Sequence, residues 1–260
     1  MKPFDDVAIE WHDHVAVVEI RRPPLNFFDV RLIEHIAECF ESLEQDHRCR
    51  AIVLAAQGKA FCAGADFSSN GSDLFEAESD NSAITLYKAA ARLYSCAKPV
   101  VGAIHGAAIG GGLGLSLVPD FRVVCPETRF AANFVKLGIH PGFGISLMLP
   151  RLIGQQRANL MLLTGCRIKG EEALEFGLAD QLVPADQVRE QAIALATEIA
   201  QCAPLAVEST RATLRHGMVE ELRSRLEHEF AEQVWLARTD DHKEGMAAVT
   251  ERREGNFTRS

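Results

Sequence analysis

Residues 106–116 read Gly-Ala-Ala-Ile-Gly-Gly-Gly-Leu-Gly-Leu-Ser, between an apolar run at 99–104 and a segment of helical character. The three consecutive glycines Gly110, Gly111 and Gly112 are a poor start for a buried helix, since each costs roughly 0.8–1 kcal/mol against alanine. A chain that tolerates this cost needs bare backbone N–H groups close to something. The start of a helix supplies unpaired N–H donors, so the stretch reads as an anion or oxyanion site.

A second glycine-punctuated turn, GKAFCAGADF at 58–67, follows another buried run, AIVLAA at 51–56. Continuous apolar runs of this length suit strands covered on both faces. Two such turns, each leaving a buried strand, can present two N–H groups to one oxygen, which is the logic of an oxyanion hole.

Around these turns the chain alternates strand and helix for about 180 residues and then turns helical. Residues 7–11 and 15–20 read as a hairpin across a polar turn, and prolines 23 and 24 close the second strand. Leu32, Ile33, Ile36, Ala37, Phe40 and Leu43 keep helical spacing over 30–45. Residues 67–80 read as a polar, mobile loop, and 82–96 as a helix. Short strands follow at 121–125 and 129–132, then a loop at 138–144, and helices at 145–153 and at 171–176, the last ahead of Leu182 and Val183. Four helices are expected between 186 and 252. This divides the chain into an α/β core over 1–185 and a helical region over 186–260.

At 260 residues the chain fits one sizeable α/β domain with a helical appendage. A net charge of −9 argues against nucleic acid or an anionic membrane as the main partner. No run approaches the roughly 18 apolar residues of a membrane span. Seven scattered cysteines without a C-x-x-C pair point to reduced thiols in a cytoplasmic compartment, with no disulfide framework and no metal site.

Five segments in order carry a resemblance: GKAFCAGADF, KPVVGAIHGAAIGGGLGLSLVPDFRVV, FVKLGIHPGFG with LPRLIG, LTGCRIKGEEALEFGLADQLVP, and DDHKEGMAAVTERREGNF. Together they resemble the crotonase, or enoyl-CoA hydratase/isomerase, superfamily over nearly the whole chain. The resemblance implies a spiral of repeated β-β-α units with C-terminal helices that assemble trimers, often paired as hexamers. It implies a CoA thioester as ligand, with coenzyme A arriving as part of the substrate and no resident cofactor. Carried over by position, the oxyanion donors are the N–H groups of Ala65 and Gly111. Pro24, Leu25, Ala63, Asp66, Phe67 and Ser68 fall where the family contacts coenzyme A, mostly through main chain.

The departures bear on chemistry. Hydratases of the family carry a glutamate two residues after the third glycine of the run, where this chain has Gly114. Their second glutamate precedes the LG(I/L)xP glycine by four residues, where this chain has Phe134. The place just after that motif's proline, acidic in some isomerases and dehalogenases, is Gly142. The resemblance implies the ligand but not conventional hydration.

His140 and Tyr87 are the candidate replacements. An imidazole in the 138–144 loop suits acid–base work near neutral pH, against a plainer reading as a hydrogen-bonded loop residue. The Tyr87 phenol suits donation to a leaving group or the orienting of water, against a core aromatic at helical spacing. Asn133 suits orienting a carbonyl. Cys62 lacks a base and reads as a buried filler, His105 as a brace of its turn, and Lys243 as a solvated charge or a contact to CoA phosphate. Two function classes remain open: an enzyme that stabilises a thioester enolate, including C–C hydrolases and decarboxylases, and an acyl-CoA-binding protein without turnover.

Overall fold

The computed structural model of the chain describes residues 4–65 and 80–260. Asp66, Phe67, Ser68 and the rest of the polar segment before residue 80 lie outside the described residues.

Strands β1 (Val7–His12) and β2 (Val15–Ile20) form an antiparallel hairpin. β3 (Ala51–Ala56), β4 (Val100–Ile104), β6 (Phe121–Val124) and β9 (Gln181–Leu182) then add in parallel. The sheet order is β1-β2-β3-β4-β6-β9. A second, smaller sheet holds β5 (Ala107–Ile109), β7 (Arg129–Ala131) and β8 (Arg167–Lys169), in the order β5-β7-β8.

The chain enters both sheets turn by turn. β4 is followed by β5 and β6 by β7, while β3 is followed by Cys62, which makes an isolated parallel bridge to Ala108. Each turn of the spiral therefore lays one strand in the large sheet and one short strand or bridge in the small one. That is the expected β-β-α spiral.

The large sheet is buried on both faces, as its apolar runs require. Ile52 and Leu54 of β3 enter one core with Leu32, Ile33 and Ile36 of α1 (Val30–Glu44). Ala51, Val53 and Ala55 enter another with Val188, Ala192, Ala196 and Ala200 of α7 (Val188–Ala200). The alanines recur every four residues, so α7 presents a small-residue stripe to the sheet. Residue 186 thus marks a change to all-helical chain, while α7 still closes the core sheet.

The helices anticipated near 82–96 and 145–153 are α2 (Asp80–Ser95) and α4 (Ile145–Ile153). The C-terminal helices are α8 (Pro204–Leu214), α9 (Met218–Leu236) and α10 (Asp240–Glu251). Three elements differ from expectation. β5 occupies residues assigned to the glycine turn, and α5 (Gln155–Thr164) and β8 have no counterpart in the sequence reading. Only Ala158 and Met161 of α5 are buried while Leu160 and Leu163 are exposed, so no apolar stripe announced it. β5 and β8 are three residues each, too short for an alternating pattern to stand out. Among the described residues no helix is long and apolar enough to cross a membrane.

Candidate active site

The two glycine turns interlock. Cys62 N–H donates to Ala107 O at 2.9 Å, and Ile109 N–H donates to Cys62 O at 3.1 Å. Immediately beyond, α3 (Gly111–Ser116) begins, with Gly110 at φ 56° and ψ −122°, a conformation that strains any side chain. A Cβ on Gly112 would stand 2.1 Å from Cys62 O, so the helix start lies directly on the first turn's backbone. A Cβ on Gly64 would meet Ile109 O at 3.1 Å from the other side. Close backbone approach brings Ala63, Ala65 and Gly111 to the lining of one cavity of about 80 Å³. Gly111 is the first residue of its helix, so its N–H has no acceptor within that helix.

Pro24 and Leu25 brace the same turn from outside. Lys59 N–H donates to Pro24 O and Ala63 N–H to Leu25 O, both at 2.9 Å. Buried Asn26 ties the two segments together, donating from Nδ2 to Gln57 O at 2.5 Å and Ala60 O at 2.7 Å. His105 braces this turn too, with Nε2 3.1 Å from Gly58 O. Cys62 is fully buried, and burial pushes its thiol up to about 12, which leaves it a filler rather than a nucleophile.

Side chains build the opposite wall, and they occupy the three places where the resemblance leads one to expect acids. A Cβ on Gly114 would stand 2.6 Å from the Phe143 Cβ, so Phe143 fills the volume a side chain there would need. The Phe143 ring meets Phe28 edge-on, with centroids 5.7 Å apart, and Phe28 covers Gly111, whose Cβ would lie 2.3 Å from its Cζ. Phe134 lines the cavity itself. A Cβ on Gly142 would stand 2.5 Å from the Tyr87 hydroxyl and 2.6 Å from Gln233 Nε2, so that place belongs to a tyrosine–glutamine pair.

Tyr87 of α2 and Gln233 of α9 meet across the cavity. The phenol donates to Gln233 Oε1, and Gln233 Nε2 donates to His140 O at 2.7 Å. Burial above all, then the Glu229 charge, hold the Tyr87 pKa well above its usual value, with the Phe143 amide pulling the other way. Among the described residues that line the cavity, Tyr87 alone is ionisable. Asn133 also lines it, its Oδ1 lying against Gly110.

His140 is placed differently from the expectation. Its Nδ1 lies 2.7 Å from Pro141 O and its ring stands 5.8 Å from that of His228. The residue lines a separate cavity with Ser146, Asn159 and Trp235. Only its carbonyl, through Gln233, touches the site that holds Ala65, Gly111 and Tyr87. The reason is local: the loop turns at Phe143 and Gly144, both at positive φ, and directs Phe143 inward while His140 stays on the far side. Lys243 pairs with Asp240 at 2.7 Å and is exposed.

Sequence reasoning missed Phe28, Phe143, Gln233 and Glu229. Glu229 is fully buried and accepts from Gly144 N at 2.7 Å, Ser146 N at 3.0 Å and Ser146 Oγ at 2.6 Å, serving as a cap for α4 from another helix. Burial raises its carboxyl to about 7, against these hydrogen bonds. A signal existed: Leu222, Leu226, Glu229 and Gln233 share one helical stripe, and polar residues on an apolar stripe ask for buried partners. Among the described residues no group of three His, Cys, Asp or Glu side chains could hold a metal ion.

Residues 10–260 match the family model described as enoyl-CoA hydratase/isomerase. The short-chain-enoyl-CoA hydratase of Clostridium acetobutylicum is 32% identical over 253 residues, 96% of this chain and 97% of that protein. The mitochondrial Delta(3,5)-Delta(2,4)-dienoyl-CoA isomerase of Homo sapiens is 31% identical over 254 residues, 93% of this chain and 77% of that one. The crystal structure of an enoyl-CoA hydratase/isomerase from Pseudoalteromonas atlantica superposes with a TM-score of 0.86 at 29% identity, covering 98% of this chain and all of that one. With its spiral of paired strands, its interlocked glycine turns and a family match over nearly its whole length, this chain belongs to the enoyl-CoA hydratase/isomerase family.

Proposed function

We propose that the cavity receives the acyl end of a CoA thioester, and that the N–H groups of Ala65 and Gly111 hold the thioester oxygen as enolate character develops. One observation carries this reading: both residues line a single apolar cavity whose only ionisable side chain, among the described residues, is Tyr87. Preorganised donors in a water-poor site need no reorganisation when charge appears, and losing one typically costs about 2.7–4 kcal/mol in the transition state. Coenzyme A enters as part of the substrate, along the main chain near Pro24, Leu25 and Ala63, and along Asp66, Phe67 and Ser68.

The chemistry proposed is an enolate reaction other than syn hydration. Two carboxylates to manage water have no place here, since Phe143 fills the space beside Gly114 and Phe134 stands at the second position, while the Tyr87–Gln233 pair fills the space beside Gly142. Tyr87 replaces them as the polar side chain facing the acyl group, and His140 keeps a supporting role through its carbonyl. The same apolar walls favour a second reading, an acyl-CoA-binding protein without turnover. We further infer a cytoplasmic homotrimer or hexamer built through residues 186–260, a reading supported by free cysteines and by exposed Leu205, Leu214 and Trp235. Light scattering of the purified protein tests the assembly.

The test of the site offers 2-enoyl, 3-enoyl, malonyl-type and β-diketone CoA thioesters, following turnover, binding and the carbonyl stretch of the bound thioester. A polarised carbonyl shifts to lower frequency. Turnover with that shift supports the enzyme reading, and binding with the shift but no turnover supports the carrier. Binding with an unshifted carbonyl removes the oxyanion assignment. Hydration of a short 2-enoyl thioester at ordinary family rates overturns the reading of the filled acid positions.

A further inference from the structure

The Tyr87–Gln233–His140 chain has a direction. A backbone carbonyl only accepts, so the Gln233 nitrogen must face His140 O, which it does at 2.7 Å. The Gln233 oxygen is thereby turned toward Tyr87, and an amide oxygen also only accepts. The phenol proton is committed to it. Burial keeps that proton on the oxygen and the Phe143 amide donates to one side of it, so the phenol has no second hydrogen to offer and can meet a ligand in the cavity only by accepting through its remaining lone pair.

We infer that Gln233 is a positioning residue that fixes Tyr87 as a hydrogen-bond acceptor, and that the site selects CoA thioesters whose acyl chain carries a hydroxyl group. The inference rests on the CoA-thioester reading above and decides between two roles open to the phenol. It orients a hydroxyl or a water by accepting from it, and it does not donate to a leaving group. Gly142 is part of the device: a side chain there would collide with both the Tyr87 hydroxyl and Gln233 Nε2. The site then carries two polarities. Backbone donors on one wall meet the thioester oxygen, and a side-chain acceptor on the other meets a hydroxyl. An acyl oxo group directed at Tyr87 would place lone pair against lone pair.

Competing binding of 3-hydroxybutanoyl-CoA and 3-oxobutanoyl-CoA tests the polarity. The unmodified protein is expected to favour the hydroxy ligand by about three- to tenfold, the range of one net hydrogen bond. Gln233→Met keeps the side-chain length and removes the acceptor, freeing the phenol proton to turn into the cavity. The preference should collapse toward parity because the oxo ligand gains. Tyr87→Phe should also collapse it, but because the hydroxy ligand loses. A structural role for Gln233 would weaken both ligands together and leave their ratio unchanged, and that result overturns the inference. So does equal or tighter binding of the oxo ligand by the unmodified protein. If neither thioester binds, the CoA reading itself falls, a failure distinct from binding without preference.

Discussion

The two walls of the cavity are built by different means. The wall bearing Ala65 and Gly111 is main chain locked to main chain, through the Cys62–Ala108 bridge and glycines with no room for a side chain. The facing wall is made of side chains from five separate places: Phe28 ahead of α1, Tyr87 on α2, Phe134 in the turn at Asn133–Leu137, Phe143 in the loop before α4, and Gln233 on α9. Backbone geometry of this kind holds whatever the neighbouring side chains become, whereas an aromatic wall can be exchanged one residue at a time. In the proposed function, holding a thioester oxygen belongs to the rigid wall, and the choice of reaction to the exchangeable one.

The largest effect is expected from attacking the rigid wall. Gly112→Val places atoms about as close to Cys62 O as the Cβ position at 2.1 Å allows. Because backbone must move, the loss should reach or exceed about 3 kcal/mol, read as a urea midpoint or as failure to obtain folded protein. A variant as stable as the parent would show that the turns are not locked.

Next comes the exchangeable wall. Gly114→Glu alone should destabilise by about 1–3 kcal/mol through its clash with Phe143, without hydration of 2-butenoyl-CoA. Adding Phe143→Gly, at a position with φ 62°, should restore stability and admit the carboxylate to the cavity, giving detectable hydration in a spectrophotometric assay. Hydration by the single variant would mean Phe143 yields easily and the wall is not a filled one.

Glu229 stands behind that wall and carries the pH dependence. Its folded-state carboxyl is raised from 4.5 to about 7, so the folded chain keeps a proton that the unfolded chain has already released. Its contribution is complete below about 4.5 and is lost as pH rises to about 7, on the order of 2–3 kcal/mol. Glu229→Gln should flatten that part of the stability–pH curve relative to the parent, measured by urea midpoints between pH 5 and 7.5. Parallel curves would show that Glu229 titrates normally. A smaller effect follows from Tyr87→Phe, which leaves the Gln233 oxygen without its donor and should cost about 1–3 kcal/mol. Smallest is Lys243→Ala, since the Lys243–Asp240 pair is exposed; no resolvable change in melting temperature is expected.

Residues 106–116 and 58–67 were legible because glycine leaves a local signature: a conformation or close approach that other residues cannot make is written into the sequence at that position. Buried strands were legible for a similar reason, since AIVLAA has no polar face to expose. Gly114, Phe134 and Gly142 could be read as departures, but what fills their places could not. Phe143 lies 29 positions from Gly114 and Gln233 lies 91 from Gly142, and nothing near either glycine names its partner.

The placement of His140 shows the limit most directly. In sequence it sits in the right loop with the right chemistry. Two residues at positive φ in the turn beyond it decide that Phe143 faces the cavity and that the imidazole faces away. The sequence by itself determined the alternation of strand and helix, the two glycine turns, and Gly114, Phe134 and Gly142 at the places where the resemblance implies acids, because local sterics and apolar runs are properties of consecutive residues. The aromatic filling of the acid positions, the Glu229 cap and the direction of the Tyr87–Gln233 hydrogen bond were decided only by the tertiary structure, because each depends on which distant side chains share one buried volume.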